Sequence, residues 1–246
     1  MRQQLRWPRL LALCLLAAGC LAASGCVCFH PIEPPPPEIH TVCKVYPPCC
    51  RDHVYVFMVH GMDPFDWANL TGVCDYMHDL GFRKTYYGQL YHATKFAKEM
   101  RRVHAEDPSA RFVLIGFSFG ANVARYLANS AKDDGIPIDL LVYFGGNTLK
   151  NEDYDQPENA ARIVNILASG CIWNGAWMDR AENIHEVDVW HFGSPSHPYS
   201  LRVLARELAE VSSHVQVVDD GPAPPPVSYP GEWDFLKPVS RLKPAR

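Results

Sequence analysis

Three things are scarce in this 246-residue chain, and each scarcity sets aside a class of function. Long apolar runs are the first: Leu10 to Ala18 is apolar, but too short to cross a bilayer comfortably. Basic blocks are the second. With 23 basic and 27 acidic residues the formal net charge is −4, and no cationic cluster stands out beyond the N-terminus. A nucleic-acid partner is therefore not expected. Paired metal-ligand spacings are the third. There are nine cysteines, yet no matched C-x-x-C pairs with accompanying histidine spacing, so zinc is not expected, and no motif asks for a cofactor.

What is present begins with an export signal over residues 1–26. Arg2, Arg6 and Arg9 supply a positive start, Leu10 to Ala18 the apolar segment, and small residues follow. Ala17-Ala18-Gly19 precedes Cys20, and Ala23-Ser24-Gly25 precedes Cys26; both tripeptides resemble bacterial lipoprotein signals, without the leucine preferred three residues before the cysteine. Lipidation at Cys20 or Cys26 would hold the protein on a membrane of the bacterial cell envelope without a span. Ordinary signal cleavage is the alternative.

Residues 27–51 read as a linker built around Pro34 to Pro37, with Cys28, Cys43, Cys49 and Cys50 clustered around it. In an exported chain those four are expected in disulfides, whereas Cys74 and Cys171, inside the domain, are expected as small buried apolar groups. Residues 219–246 are proline-rich and without period, an extended tail.

Residues 52–218 form the domain. Buried-strand runs are read at Val54 to Val59, Phe82 to Tyr87, Phe112 to Ile115, Ile138 to Phe144, Arg162 to Leu167 and Val187 to Phe192. Helical spacing covers Asp66 to Leu80, Ala93 to His104, the stretch from Ala121, and Tyr199 to Val211. Strands alternating with helices predict an α/β fold, a mostly parallel sheet with helices on both faces and its site beyond the carboxyl ends of the strands. About 17 residues separate the Phe144 and Arg162 strands, which leaves no room for a substantial lid.

Between one strand and its helix lies Gly116-Phe117-Ser118-Phe119-Gly120, a G-x-S-x-G at a strand-to-helix turn. A turn this tight strains the serine backbone and excludes flanking side chains, and it holds a hydroxyl beside the first amides of a helix. Val54 to Val59 likewise ends in His60-Gly61-Met62-Asp63. Together these motifs resemble the α/β-hydrolase superfamily, in order, from roughly Asp52 to Val218. The resemblance implies Ser118 as nucleophile and the backbone amides of Met62 and Phe119 as oxyanion hole. It implies also a histidine after the last strand and an acid before it.

Two histidines compete for the base. His191, Phe192 and Pro198 match the spacing of similar hydrolases and favour His191; His197 lies at the helix start, where it could cap the helix or bind substrate. The acid departs from the pattern, because neither Leu167-Ala168-Ser169-Gly170 nor Phe144-Gly145-Gly146-Asn147 carries a carboxylate. Asp179 is the nearest candidate, with Asp153, Asp155 and Glu182 behind it. Phe65, Trp67, Phe117, Trp173 and Trp177 suggest an apolar acyl pocket, or else core and loop packing.

The chemistry expected is ester hydrolysis of lipase or carboxylesterase type on a small-molecule or lipid ester, through an acyl-enzyme on Ser118. A lipoprotein that keeps the hydrolase fold only as a binding module is the rival, and the missing acid favours it.

Overall fold

A computed structural model describes Ile32, Pro34, Pro35 and residues 48–146, 157–169, 174–178, 180–185 and 189–215. The order of elements is α1 (Pro48–Asp52), β1 (Val54–Val59), α2 (Leu70–Asp79), β2 (Thr85–Gly88), a 3-10 turn (Leu90–His92), α3 (Ala93–Glu106), β3 (Arg111–Phe117), α4 (Phe119–Asp133), β4 (Leu140–Phe144), β5 (Ile163–Leu167), β6 (Glu182–His185) and α5 (Pro198–Ser213). The six strands form one sheet in the order β2-β1-β3-β4-β5-β6, and every pairing is parallel. This is the architecture of the α/β-hydrolase fold, as the motifs implied.

Side chains alternate along a strand, and here both sets are apolar because both faces are covered. Val54, Val56 and Met58 of β1 join Val113, Ile115 and Phe117 of β3 on one face, under Leu70, Val73 and Met77 of α2 and Leu201, Leu204 and Leu208 of α5. Tyr55, Phe57 and Val59 join Phe112 and Leu114 on the other, under Phe96, Met100 and Val103 of α3 and Ala124 and Leu127 of α4. Each such fully buried aliphatic or phenyl group contributes about 1.5–3 kcal/mol.

Charged groups gather at the amino ends of the strands. Asp107 accepts from Tyr55 Oη and pairs with His53 Nδ1, both at 2.8 Å. Arg162, just before β5, pairs with buried Glu207 of α5 and with Glu182, the first residue of β6.

Two elements differ from expectation. The last strand is Glu182–His185 rather than Val187 to Phe192; residues 191–196 form turns, and Val189 and Phe192 are buried in the connection to α5. The first long helix starts at Leu70 instead of Asp66, because Asp66 and Asn69 take left-handed backbone at φ 53° and 52°. Asn69 caps it, accepting from the Gly72 amide at 3.3 Å.

Ile32 packs against the core beside Gly72, and Cys50 is buried in it. No disulfide is present among the described residues. Cys74 is a buried free thiol whose pKa is pushed up by burial and then by Asp75. Cys20, Cys26, Cys28, Cys43, the Cys49 side chain and Cys171 lie outside the described residues.

Candidate active site

Ser118 follows β3 with φ 53° and ψ −121°, a conformation that a residue with a Cβ adopts only where the surroundings enforce it. The enforcement is visible. Its amide donates to the Phe144 carbonyl at 2.9 Å, its carbonyl accepts from Ala121 at 3.1 Å, and α4 begins at the next residue. A Cβ on Gly116 would fall 2.5 Å from Ala121 Cα, and one on Gly120 would fall 2.3 Å from the Val59 carbonyl. Both glycines are thus required by backbone contact. Ser118 itself stays half-exposed, at the carboxyl edge of the sheet.

The loop after β1 passes directly over this turn. Val59 is in register with Gly116, so His60 and Gly61 arrive beside Phe117 and Ser118. A Cβ on Gly61 would lie 2.8 Å from both the Phe117 carbonyl and Ser118 Cβ. Met62, the following residue, is therefore carried to the elbow, and Phe119 opens the helix behind it.

Beneath the loop, His60 is completely buried, and its Nε2 lies 3.1 Å from Asp66 Oδ1. Asp66 also accepts from the Leu70 amide at 2.8 Å and the Thr71 amide at 3.2 Å, and Asp63 accepts from the Ala68 amide at 2.8 Å. Burial alone would raise the Asp66 pKa, but the hydrogen bonds from Thr71, Leu70 and His60 hold it below the ordinary carboxylate value. The carboxylates of this loop tie its own backbone to the start of α2. The sequence motif His60-Gly61-Met62-Asp63 did not reveal the anchoring roles of Asp63 and Asp66; the available signal was Asp-x-x-Asp-x-x-Asn between the His-Gly and the helix. His60, Asp63 and Asp66 together could also offer three donor atoms to a cation.

His191 is brought to the elbow by the turns between β6 and α5. Its ring lies 4.8 Å, centroid to centroid, from that of Phe117, the residue before the serine, and it is buried against Phe192 as well. His197 is instead the N-cap of α5, its Nδ1 accepting from the Tyr199 amide at 3.4 Å.

Of the carboxylates considered, Glu182 is excluded. It opens β6, level through Val164 and Val142 with Ile115 and so three residues short of Ser118 and three strands away, and its carboxylate pairs with Arg162 and Arg206. Asp153, Asp155 and Asp179 lie outside the described residues. Met178, before Asp179, bonds Asn183 of β6 through both its amide and its carbonyl, and buried Asn165 donates to Asn183 Oδ1 at 2.8 Å. Among the aromatics, Phe117 is entirely buried in the core, Trp177 is half-buried, Phe65 and Trp67 are exposed at the loop, and Trp173 lies outside the described residues.

No protein-family model and no curated protein matches the sequence. Among solved structures, one described as a predicted CIB-like hydrolase from Thermoplasma acidophilum is similar, at 12% identity and a TM-score of 0.42. The match covers 63% of this chain and 86% of that one. The chain has, by its own strand order and serine turn, the α/β-hydrolase fold.

Proposed function

We propose that the chain is a serine hydrolase that cleaves an ester through an acyl-enzyme on Ser118. The observation that carries this reading is the strained backbone of Ser118 with Gly61 packed against it, which costs stability and has no packing benefit of its own. In this mechanism His191 removes the hydroxyl proton as Ser118 attacks the carbonyl carbon. The amides of Met62 and Phe119 hold the oxyanion, each contributing about 3 kcal/mol to the transition state. His191 returns the proton to the leaving alcohol, and water then repeats the sequence to release the acid. Asp179 is the carboxylate proposed to orient the imidazole. Export and a lipid anchor at Cys20 or Cys26 would place this chemistry at a membrane of the cell envelope.

Labelling of the purified chain with a fluorophosphonate tests the reading. One adduct, on Ser118, is expected, and Ser118→Ala should abolish it without unfolding the protein. An adduct that survives in the alanine variant refutes the assignment. A parent that neither labels nor hydrolyses short or long acyl esters supports the binding-module reading, which draws on the carboxylate-free end of β5.

A further inference from the structure

The loop from Gly61 to Leu70 is folded inside out. Asp63 is buried and Asp66, though partly exposed, bonds to His60 and to the backbone of α2, while Met62, Pro64, Phe65 and Trp67 point to solvent. Exposed apolar side chains scattered singly are ordinary; a concentration of them is not. Among the described residues six large hydrophobic side chains are exposed: Met62, Phe65, Trp67, Tyr91, Phe119 and Tyr126. The first five follow β1, β2 and β3, three adjacent strands, and so share the carboxyl edge that holds Ser118. Met62, Phe65 and Tyr91 are 75%, 73% and 76% exposed.

We propose that this rim docks on the uncharged, apolar phase of a lipid aggregate, a bilayer or micelle, from which the ester is drawn. The inference rests on Ser118 acting as the nucleophile and names the physical form of its substrate. Three observations select this occupant. First, the large outward side chains of the loop carry no charge, and its one partly exposed carboxylate, Asp66, is engaged by the Leu70 and Thr71 amides and His60, which complements acyl chains rather than headgroups or an acidic or basic protein surface. Second, the rim borders the nucleophile, because Phe119 follows Ser118 directly and the Met62 loop packs against it. A folded partner or second copy seated there would cover Ser118, whereas a fluid apolar phase can wet the rim and deliver substrate through the same contact. Third, Trp67 stacks on Phe65 and meets Phe192 edge-on at 5.7 Å, so a broad amphipathic ring is held at the surface by its neighbours. Tryptophan and tyrosine suit the boundary between water and acyl chains. Among the described residues no helix is long and apolar enough to cross a membrane.

The test uses the full chain carrying Ser118→Ala, which separates docking from turnover, and phosphatidylcholine vesicles with brominated acyl chains, which quench tryptophan on contact. The emission lost on adding Trp67→Phe isolates the Trp67 signal, whether or not a lipid anchor also holds the chain. That signal is expected to be quenched by the vesicles. Phe65→Ser with Tyr91→Ser should weaken the quenching tenfold or more in lipid concentration, with an unchanged circular dichroism spectrum. Trp67 emission untouched by brominated lipid overturns the proposal. So does loss of self-association in the Phe65→Ser, Tyr91→Ser chain without quenching in its parent, which would assign the rim to a second copy. Phosphonate labelling of the Ser118 parent, run in parallel, decides the catalytic reading independently.

Discussion

Replacing Asp66 by alanine should damage stability and catalysis together, by amounts the loop geometry allows to be estimated. The side chain accepts from the Leu70 and Thr71 amides at the start of α2 and lies 3.1 Å from His60 Nε2. Loss of a helix-end acceptor typically costs about 1 kcal/mol. His60 is fully buried, and removing the partner of its Nε2 costs a further 1–3 kcal/mol, about the price of one unsatisfied buried polar group. The sum is about 2–4 kcal/mol, which for a domain of this size lowers Tm by roughly 6–12 °C. The same loop carries Met62 past Ser118, so its loosening should lower kcat by about tenfold to a hundredfold and leave KM nearly unchanged, part of the loss expected for one oxyanion donor. Asp66→Asn, which keeps an acceptor oxygen for the helix, should recover part of the stability. The pH dependence has a definite sign. The Asp66 pKa is depressed in the folded state, so its contribution is complete above the unfolded value of about 3.9 and is lost as pH falls through the folded value. The Tm gap between parent and Asp66→Ala should therefore be constant near neutrality and narrow below about pH 4. Calorimetry across pH 3–8 and steady-state kinetics on a soluble ester measure both effects. An Asp66→Ala protein that melts within about 2 °C of the parent, with kcat intact, would refute the reasoning.

His191→Ala should lower kcat by about 10⁴-fold, whereas His197→Ala, which removes a helix cap, should cost about 1 kcal/mol or less and under tenfold in rate; the reverse ranking transfers the base to His197. Asp179→Asn should lower kcat by about 10⁴-fold if that carboxylate orients the imidazole, and retention of rate within tenfold removes it from the role. Gly120→Ala places a methyl 2.3 Å from a backbone carbonyl and should cost more than about 3 kcal/mol in denaturant unfolding. Gly135→Ala, with φ 70° and open space around it, should cost only about 1 kcal/mol. Glu207→Ala leaves Arg162 and Arg206 facing a buried gap and should destabilise by up to about 3 kcal/mol without changing activity, since it lies at the amino edge.

The parts legible in the sequence are those buried on both faces. β1 and β3 are central and read as unbroken apolar runs, and the glycines flanking Ser118 announce a backbone contact no other residue tolerates. β6 was illegible for the opposite reason. As one of the two edge strands among the described residues it has one neighbour, and of Glu182, Asn183, Ile184 and His185 only Ile184 is buried, so no apolar run marks it. The apolar residues that do stand out downstream, Val189 and Phe192, are buried without being strand, because they pack the connection that carries His191 to Phe117. Trp67 misled in the same way. Its spacing fits the helical face of α2, but the left-handed turns at Asp66 and Asn69 detach it and turn it outward.

On the proposed mechanism, the contact between Gly61 and the serine turn also sets a time at which activity can first appear. Ser118 and the loop above it belong to strands that are neighbours in the sheet but are separated along the chain by α2, β2 and α3. His191 arrives from beyond β6, later still. Parallel pairing of this kind closes long loops before any contact rewards them, and it is slow. A chain with its helices formed but β1 and β3 not yet paired holds a serine like any other, without the Gly61 loop packed against it. Hydrolysis in a refolding experiment should therefore lag behind helical signal and coincide with the final closing of the sheet, so that a partly folded chain has no chemistry to misdirect.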